Sequence, residues 1–524
     1  MRIIFLGNTC NNFYNTAKSL RLAGHDCELY YDPSFHPQTF PEIEDPELAI
    51  NFPDWIHKLT PQDNTPRPER GPSAQFLRKL ATADIIHCEG IYLLWAQKSG
   101  RPYFWFPYGQ DNNYFLKWSF WVSHRTADTI ANSLRFMSAA LDAPGINYEQ
   151  GISTRLYFTN FVKKYYTGLI SNVFFSLNAD KFRPEQDVSI HELLRSKDIG
   201  KTARGLIIFN PTRIMFTSKS DYDYGSDLLL EALAELKRKD LEFTLLLCER
   251  NVPDEVPFKA LAEKLGLSEH LIWLPFIPRF ELPKWYGACH IVTNEFRTGG
   301  IGSITAEAMA CGKPLLTCTL PPTDPTYVKT DFTSEPPIFW SKPLPLAVET
   351  LTELAQAPEK AAEHGLKCRE WALDNLTYEA VAPKYIVIYT KCIAAFTGKH
   401  HPLDFPFMPD GALDAFQKEL QHDESDVARI GLKLDDYPTD PRLLGLLIAA
   451  LQHAGNPLAA TVLACALREF GIAADKSLYR IPFRNRVQER LWTVKAALKQ
   501  NDTLAPFIRR AKAIRNRLRG LAQN

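Results

Sequence analysis

The sequence predicts an α/β protein: two doubly wound parallel-sheet domains in series, followed by an α-helical segment. Three observations predict it. Short continuous apolar runs alternate with helix-period segments up to about residue 400, and such runs mark strands buried on both faces of a parallel sheet. The 524 residues hold material for more than two cores of ordinary size. Beyond residue 400 the apolar runs lengthen to helical size and are punctuated by stops and starts such as Gly455 and Pro457.

Taken in order, RIIFLG is a strand ending at Gly7, and Asn8, Thr9, Asn11 and Asn12 form a polar loop. A helix with Ala17, Leu20 and Ala23 on one face stops at Gly24, and CELYY is the next strand. Such a loop lies at the carboxyl ends of parallel strands, where open α/β sheets bind ligands. GxGxxG is absent, which speaks against a dinucleotide. Nine prolines between Pro33 and Pro72, interleaved with Phe35, Phe40, Phe52 and Trp55, exclude regular helix. This 33–72 stretch reads either as an ordered insertion packing its aromatics on the domain or as a mobile lid. The sheet resumes with ADIIHCEG (83–90) and PYFWFPYG (102–109), an amphipathic stretch covers 113–141, and VFFSLN (173–178) reads as the last strand of this half.

From Gly205 the alternation is cleaner: GLIIFNP, FTLLLCE, LIWLPF, HIVTNE and KPLLTCTL as strands, with YGSDLLLEALAELKRK, FKALAEKLG, LPKWYGAC and SITAEAMACG as helices between them. The expected division is a first domain over 1–178, a second over 179–376, a helix at about 377–398 returning onto the first, and a helical domain over 400–524.

Composition excludes extremes. Lys plus Arg and Asp plus Glu both number 60, so there is no bulk field to collect nucleic acid or an anionic membrane. No apolar run reaches membrane-spanning length, and MRIIFLGNTC lacks the features of a secretory signal. The ten cysteines form no CxxC pair and sit mostly in apolar stretches, which fits buried thiols in a reducing compartment better than disulfides or zinc. A cytoplasmic protein is expected. The last helix, 506–521, carries six Arg and Lys residues around an apolar stripe; it reads either as a peripheral membrane contact or as a packed helix with a solvated basic face.

The segment richest in chemistry is TNEFRTGGIGSITAEAMACGKPLLT (293–317). A strand ends at Asn294 or Glu295, glycines turn the chain, and a helix begins near Ser303. Gly299, Gly300 and Gly302 let backbone amides approach an anion, and the new helix adds its positive N-terminal end. Ile301 and Ser303 complete this diphosphate cradle. Glu307, about one turn in, is placed for vicinal hydroxyls just past the phosphates. The plain alternative is a packing turn with a solvated first-turn carboxylate.

GGIGSITAEAMACGKPLL resembles the donor segment of retaining GT-B glycosyltransferases of the family-four-like group (glycosyl transferases group 1). NADKFRP (178–184), FNPTR with SDLLLEALAEL, and LIWLPFIPRFELPKWYGACHIVTNE are similar to further segments of that family. The resemblance implies two Rossmann-like domains facing a cleft and a glycosyltransferase using a nucleotide diphosphate sugar, with retention, no metal and no other cofactor. It implies that Glu307 binds the ribose, that Gly300 and Gly302 bind the phosphates, and that Arg213 with Lys219 neutralises the leaving diphosphate. The family's first motif carboxylate falls on Gly299, and Glu295 is the residue that could reach in instead. Asp221-Tyr222-Asp223 spells a metal-binding tripeptide that a polar loop also produces. In the first domain His87 and Asp111 match positions near the acceptor. His87 on an apolar strand reads more readily as a core or cleft-wall histidine than as a catalytic one, and Asp111 reads either as an acceptor-site carboxylate or as a helix cap. The acceptor is unidentified. The competing expectation is a catalytically weak glycosyltransferase-like subunit that acts as a scaffold.

Overall fold

The computed structural model describes residues 1–34, 39–60, 63, 71–108, 114–124, 129–147, 156–185, 188–217, 223–297, 301–318, 331–421 and 423–472. The first sheet has β1 (Arg2–Leu6), β2 (Asp26–Tyr31), β3 (Ile56–Lys58), β4 (Ile85–Cys88), β5 (Tyr103–Trp105), β6 (Gly145–Asn147) and β7 (Leu169–Ser171). They are parallel and ordered β3-β2-β1-β4-β5-β6-β7. The second has β8 (Leu206–Asn210), β9 (Phe243–Cys248), β10 (Leu271–Leu274), β11 (Ile291–Thr293), β12 (Leu315–Thr317) and β13 (Phe339–Trp340), in the order β10-β9-β8-β11-β12-β13. The central strands are buried on both faces because their runs are apolar throughout: Ile3 to Leu6 and Leu245 to Leu247 are wholly inaccessible.

Strand order reverses between β1 and β4 in one sheet and between β8 and β11 in the other. Loops leaving the carboxyl ends of these strands diverge there and leave a crevice. The two segments that cross between the domains run side by side: Leu177 N donates to Leu376 O at 2.8 Å. The Tyr378–Ala395 helix then lies against the first domain, with Tyr378 Oη donating to Asn15 Oδ1 at 2.7 Å.

Three elements differ from the sequence reading. VFFSLN is not a strand: β7 comes earlier, and 173–177 is a connector making one isolated bridge, Leu177 to Thr377, as the chain leaves the sheet. The Pro-rich insertion does contain regular structure. Pro41 and Pro46 each begin a single turn, Pro41–Glu44 and Pro46–Ala49, at the position where a missing N–H costs nothing, and Ile56–Lys58 adds the edge strand β3. Trp55 stacks on Tyr14 with ring centroids 5.8 Å apart. The helices Asp410–Lys418, Ser425–Asp436, Pro441–His453 and Pro457–Glu469 share one apolar core with the first sheet's β4 side. Trp118 Nε1 donates to Pro438 O at 3.0 Å and Ser119 N to Asp435 Oδ1 at 3.0 Å. Among the described residues no helix is long and apolar enough to cross a membrane. The basic 506–521 stretch lies outside them.

The ACGKP turn after the Ser303–Ala310 helix is pressed against the Glu359–Leu376 helix. A Cβ placed on Gly365 would stand 2.0 Å from Gly312 O. Gly365→Ala must push that helix away, and a loss of about 1–3 kcal/mol is expected as a lower urea midpoint; an unchanged midpoint would contradict this packing.

Candidate functional site

The second sheet's crevice is built by side chains that lock three loops together. Asn210 Oδ1 accepts from Thr212 N at 2.9 Å, forming the Asn-Pro-Thr-Arg turn. Thr212 Oγ1 donates to Asn294 Oδ1 at 2.6 Å, and Asn294 Nδ2 to Thr305 Oγ1 at 3.3 Å. The loop after β8, the exit of β11 and the Ser303–Ala310 helix are thereby one unit. Arg213 is exposed at the crevice, with Nη2 donating to Tyr224 Oη at 3.2 Å.

The helix itself has no side-chain cap, because its first flanking residue is Gly302. Among the described residues, a Cβ on Gly302 would meet nothing within 4 Å, and none of them covers this side of the helix N-terminus. Ala306, Ala308 and Ala310 are buried against the sheet. Ile301 and Ser303 are half-buried at the helix entrance. Glu295 ties β11's exit to its neighbours through its carbonyl, which accepts from Cys318 N at 2.9 Å and from Ser341 Oγ at 3.3 Å. Lys219, Gly299, Gly300 and Asp111 lie outside the described residues. Of the Asp-Tyr-Asp tripeptide only Asp223 is described, and it is engaged with Arg297 Nη1 at 2.5 Å and Gly225 N at 2.9 Å.

Glu307 is not a solvated first-turn carboxylate. It is 2% exposed, and its Oε1 accepts from Arg279 Nε at 2.8 Å while Oε2 accepts from Tyr286 Oη at 3.1 Å. Burial raises its pKa; the Arg279 charge opposes that rise and Glu44 adds to it. Arg279 also reaches the first domain, donating through Nη1 to Glu44 Oε2 at 2.5 Å and to Cys10 O at 2.9 Å. Burial works against the guanidinium charge, but Glu44 and Glu307 hold its pKa above the ordinary arginine value.

Beside this bridge, Asp45 accepts from Lys18 and Lys181, each at 2.9 Å, and from the Tyr14 hydroxyl. Lys181 belongs to the NADKFRP crossing, so Glu44 and Asp45 both fasten the insertion onto the second domain. The insertion is held from beneath by the polar loop after β1. Asn8 Nδ2 donates to Thr39 O at 2.7 Å, and Asn11 Nδ2 to Phe40 O at 3.0 Å.

One sequence assignment is corrected. His87 is inaccessible to solvent, packed among Phe5, Phe13, Phe104, Phe106, Tyr385 and Tyr389, with Nδ1 2.6 Å from Tyr389 Oη. Burial lowers its pKa well below the usual histidine value. It is a neutral core histidine that faces no acceptor. At the crevice end of the same strand stands Glu89, whose Oε1 accepts from Thr9 N and Thr9 Oγ1, both at 2.8 Å.

Sequence reading missed Arg279, Glu44, Asp45, Tyr286 and the Asn294–Thr212 pair. The acids of PEIEDP in a proline-rich stretch were the available signal, but nothing local ties them to an arginine 235 residues away.

Burial opposes ionisation of Asp45, yet the Tyr14 hydrogen bond and the charges of Lys181 and Lys18 hold its pKa down at about 2. A depressed carboxylate stabilises the fold above its unfolded pKa, about 3.9, and loses that contribution as pH falls through the folded value. Asp45→Asn is expected to cost about 2 kcal/mol at neutral pH, a deficit that narrows as pH falls from about 4 toward about 2. A deficit independent of pH in unfolding titrations would contradict the assigned ion pairs.

Residues 206–333 match the family Glycosyl transferases group 1. Over 160 residues the chain is 28% identical to the GDP-mannose-dependent alpha-(1-6)-phosphatidylinositol monomannoside mannosyltransferase of Mycolicibacterium smegmatis, covering 29% of this chain and 40% of that one. Over 113 residues it is 30% identical to D-inositol 3-phosphate glycosyltransferase 1 of Catenulispora acidiphila, covering 20% and 27%. The chain thus spans well under half the length of these curated relatives. The solved structure of Anabaena HepE in complex with UDP and glucose superposes with a TM-score of 0.52 at 14% identity, over 74% of this chain and 99% of that one. The two sheets have the GT-B fold of that structure, and residues 206–333 are similar to the Glycosyl transferases group 1 family.

Proposed function

We propose that the chain transfers a sugar from a nucleotide diphosphate sugar to an acceptor hydroxyl, with retention and without a metal ion. The observation that carries this reading is the uncapped Ser303–Ala310 helix. Among the described residues nothing meets Gly302 at its entrance, Glu307 stands one turn in and Arg213 lies on the adjoining loop. Helix amides and an arginine favour a diphosphate, and a carboxylate just beyond it accepts from the ribose diol. The bond between the anomeric carbon and the phosphate oxygen breaks, the acceptor oxygen bonds to the same face of that carbon, and its proton passes to the departing diphosphate. Arg213, with Lys219 expected beside it, and the amides from Gly300 to Ser303 carry the negative charge that develops. Ile301 and Glu295 line the donor side. Asp111 is the residue expected toward the acceptor.

HepE, whose structure holds UDP and glucose, and a GDP-mannose-dependent relative support a nucleotide sugar donor. The acceptor is a glycan, a protein, a lipid-linked sugar or a small molecule, and 506–521 is the segment expected to meet a membrane if the acceptor lies there. The second reading, a scaffold of weak activity, is favoured by Gly299 standing where the family carries its first motif carboxylate.

A panel of nucleoside diphosphates and their sugars should raise the melting temperature with one nucleotide preferred. Glu307→Ala should abolish that shift, and Arg213→Ala should lower turnover about 100- to 1000-fold. No shift with any nucleotide favours the scaffold, and full turnover by Glu307→Ala refutes its role.

A further inference from the structure

Glu307 offers an unusual arrangement for a diol. Each carboxylate oxygen carries two lone pairs, and each already accepts one protein bond, from Arg279 Nε and from Tyr286 Oη. One accepting position per oxygen remains, two in all, matching two vicinal hydroxyls. The orientation of the carboxylate therefore depends on what holds Arg279. Two of the acceptors that hold it, Glu44 Oε2 and Cys10 O, belong to the first domain, while Phe182 of the crossing lies under the guanidinium, 5.4 Å from ring centroid to Cζ.

We propose that Arg279 is a positioning residue through which the first domain sets the donor carboxylate: Glu307 is fixed for the ribose hydroxyls when the Pro41–Glu44 turn is docked on Arg279, and loosens when it is not. This rests on the donor reading of Glu307 given above. An ion pair serving stability alone would be an expensive choice, because desolvating Arg279, Glu44 and Glu307 together offsets most of their attraction. The charges around the bridge balance: Lys18, Lys181 and Arg279 face Glu44, Asp45 and Glu307. Among the described residues, further titratable neighbours of Glu307 are Tyr286, Cys10 and Cys311. Docking of the insertion and binding of the nucleotide are thus linked, and each favours the other.

The test is calorimetric titration of the full chain with UDP and with GDP, from weakly acid to neutral pH. Glu44→Gln keeps the shape and a hydrogen bond but removes the first-domain charge, and it should weaken binding about 5- to 20-fold although Arg279 and Glu307 stand between Glu44 and the donor. Arg279→Gln should weaken it further, with Arg279→Lys partly restoring it. In Arg279→Gln the affinity should also begin to fail at a higher pH than in the unaltered chain, because Arg279 opposes the rise that burial imposes on Glu307. Circular dichroism checks folding, and Glu44→Gln carries the test should Arg279→Gln not fold. If the unaltered chain binds neither nucleotide, the donor reading fails and the inference with it. If it binds and Glu44→Gln binds equally well, the inference alone is overturned. It is overturned too if Arg279→Gln weakens binding without moving the pH at which affinity fails.

Discussion

One largely enclosed arginine carries the arrangement of the cleft. Arg279 stands between a carboxylate of each domain, Glu44 at 2.5 Å and Glu307 at 2.8 Å, with side chains 13%, 1% and 2% exposed. Leaving either carboxylate without the guanidinium would strand a buried charge, which costs far more than an intact pair contributes. The contact between the two domains at this point, the docking of the Pro-rich insertion and the setting of Glu307 therefore depend on one another.

The rest of the site is arranged around that constraint by short polar devices at the two switch points. In the first domain Asn8 and Asn11 fold the loop after β1 and pin residues 39 and 40, which places Glu44 four residues on. In the second, the chain of Asn210, Thr212, Asn294 and Thr305 fixes the loop bearing Arg213 against the helix bearing Glu307. Gly225 completes the loop geometry. It takes a φ of +67°, and a Cβ there would stand 2.9 Å from Arg297 N, so only glycine fits without strain. In both domains the residues that brace these loops are polar and stand at the ends of strands whose interiors are mostly apolar.

The strands and helices of the second domain were legible because continuous apolar runs and glycine stops are local signals. The helix 303–310 and the place of Glu307 followed from one contiguous segment. What did not follow was long-range. PEIEDP reads as solvated acids, and only folding shows Glu44 buried against an arginine from the other half of the chain. His87 misled for the opposite reason: a histidine at a strand end has the same spelling whether it opens on a cleft or stacks inside an aromatic core, and Phe13, Tyr385 and Tyr389, which enclose it, come from distant helices. VFFSLN had strand composition but left the sheet because the domain crossing begins there.

The central claim is that a nucleotide diphosphate binds at the helix end while Arg279 keeps both carboxylates. A crystal structure of the full chain with UDP or GDP bound tests this most directly. The account predicts phosphate oxygens within hydrogen-bond reach of Arg213 and the amides at Gly302 and Ser303. It also predicts both ribose hydroxyls on Glu307, with Arg279 still bonded to Glu44 and Glu307. A nucleotide bound elsewhere, or one whose ribose displaces Arg279 from Glu307, would contradict it.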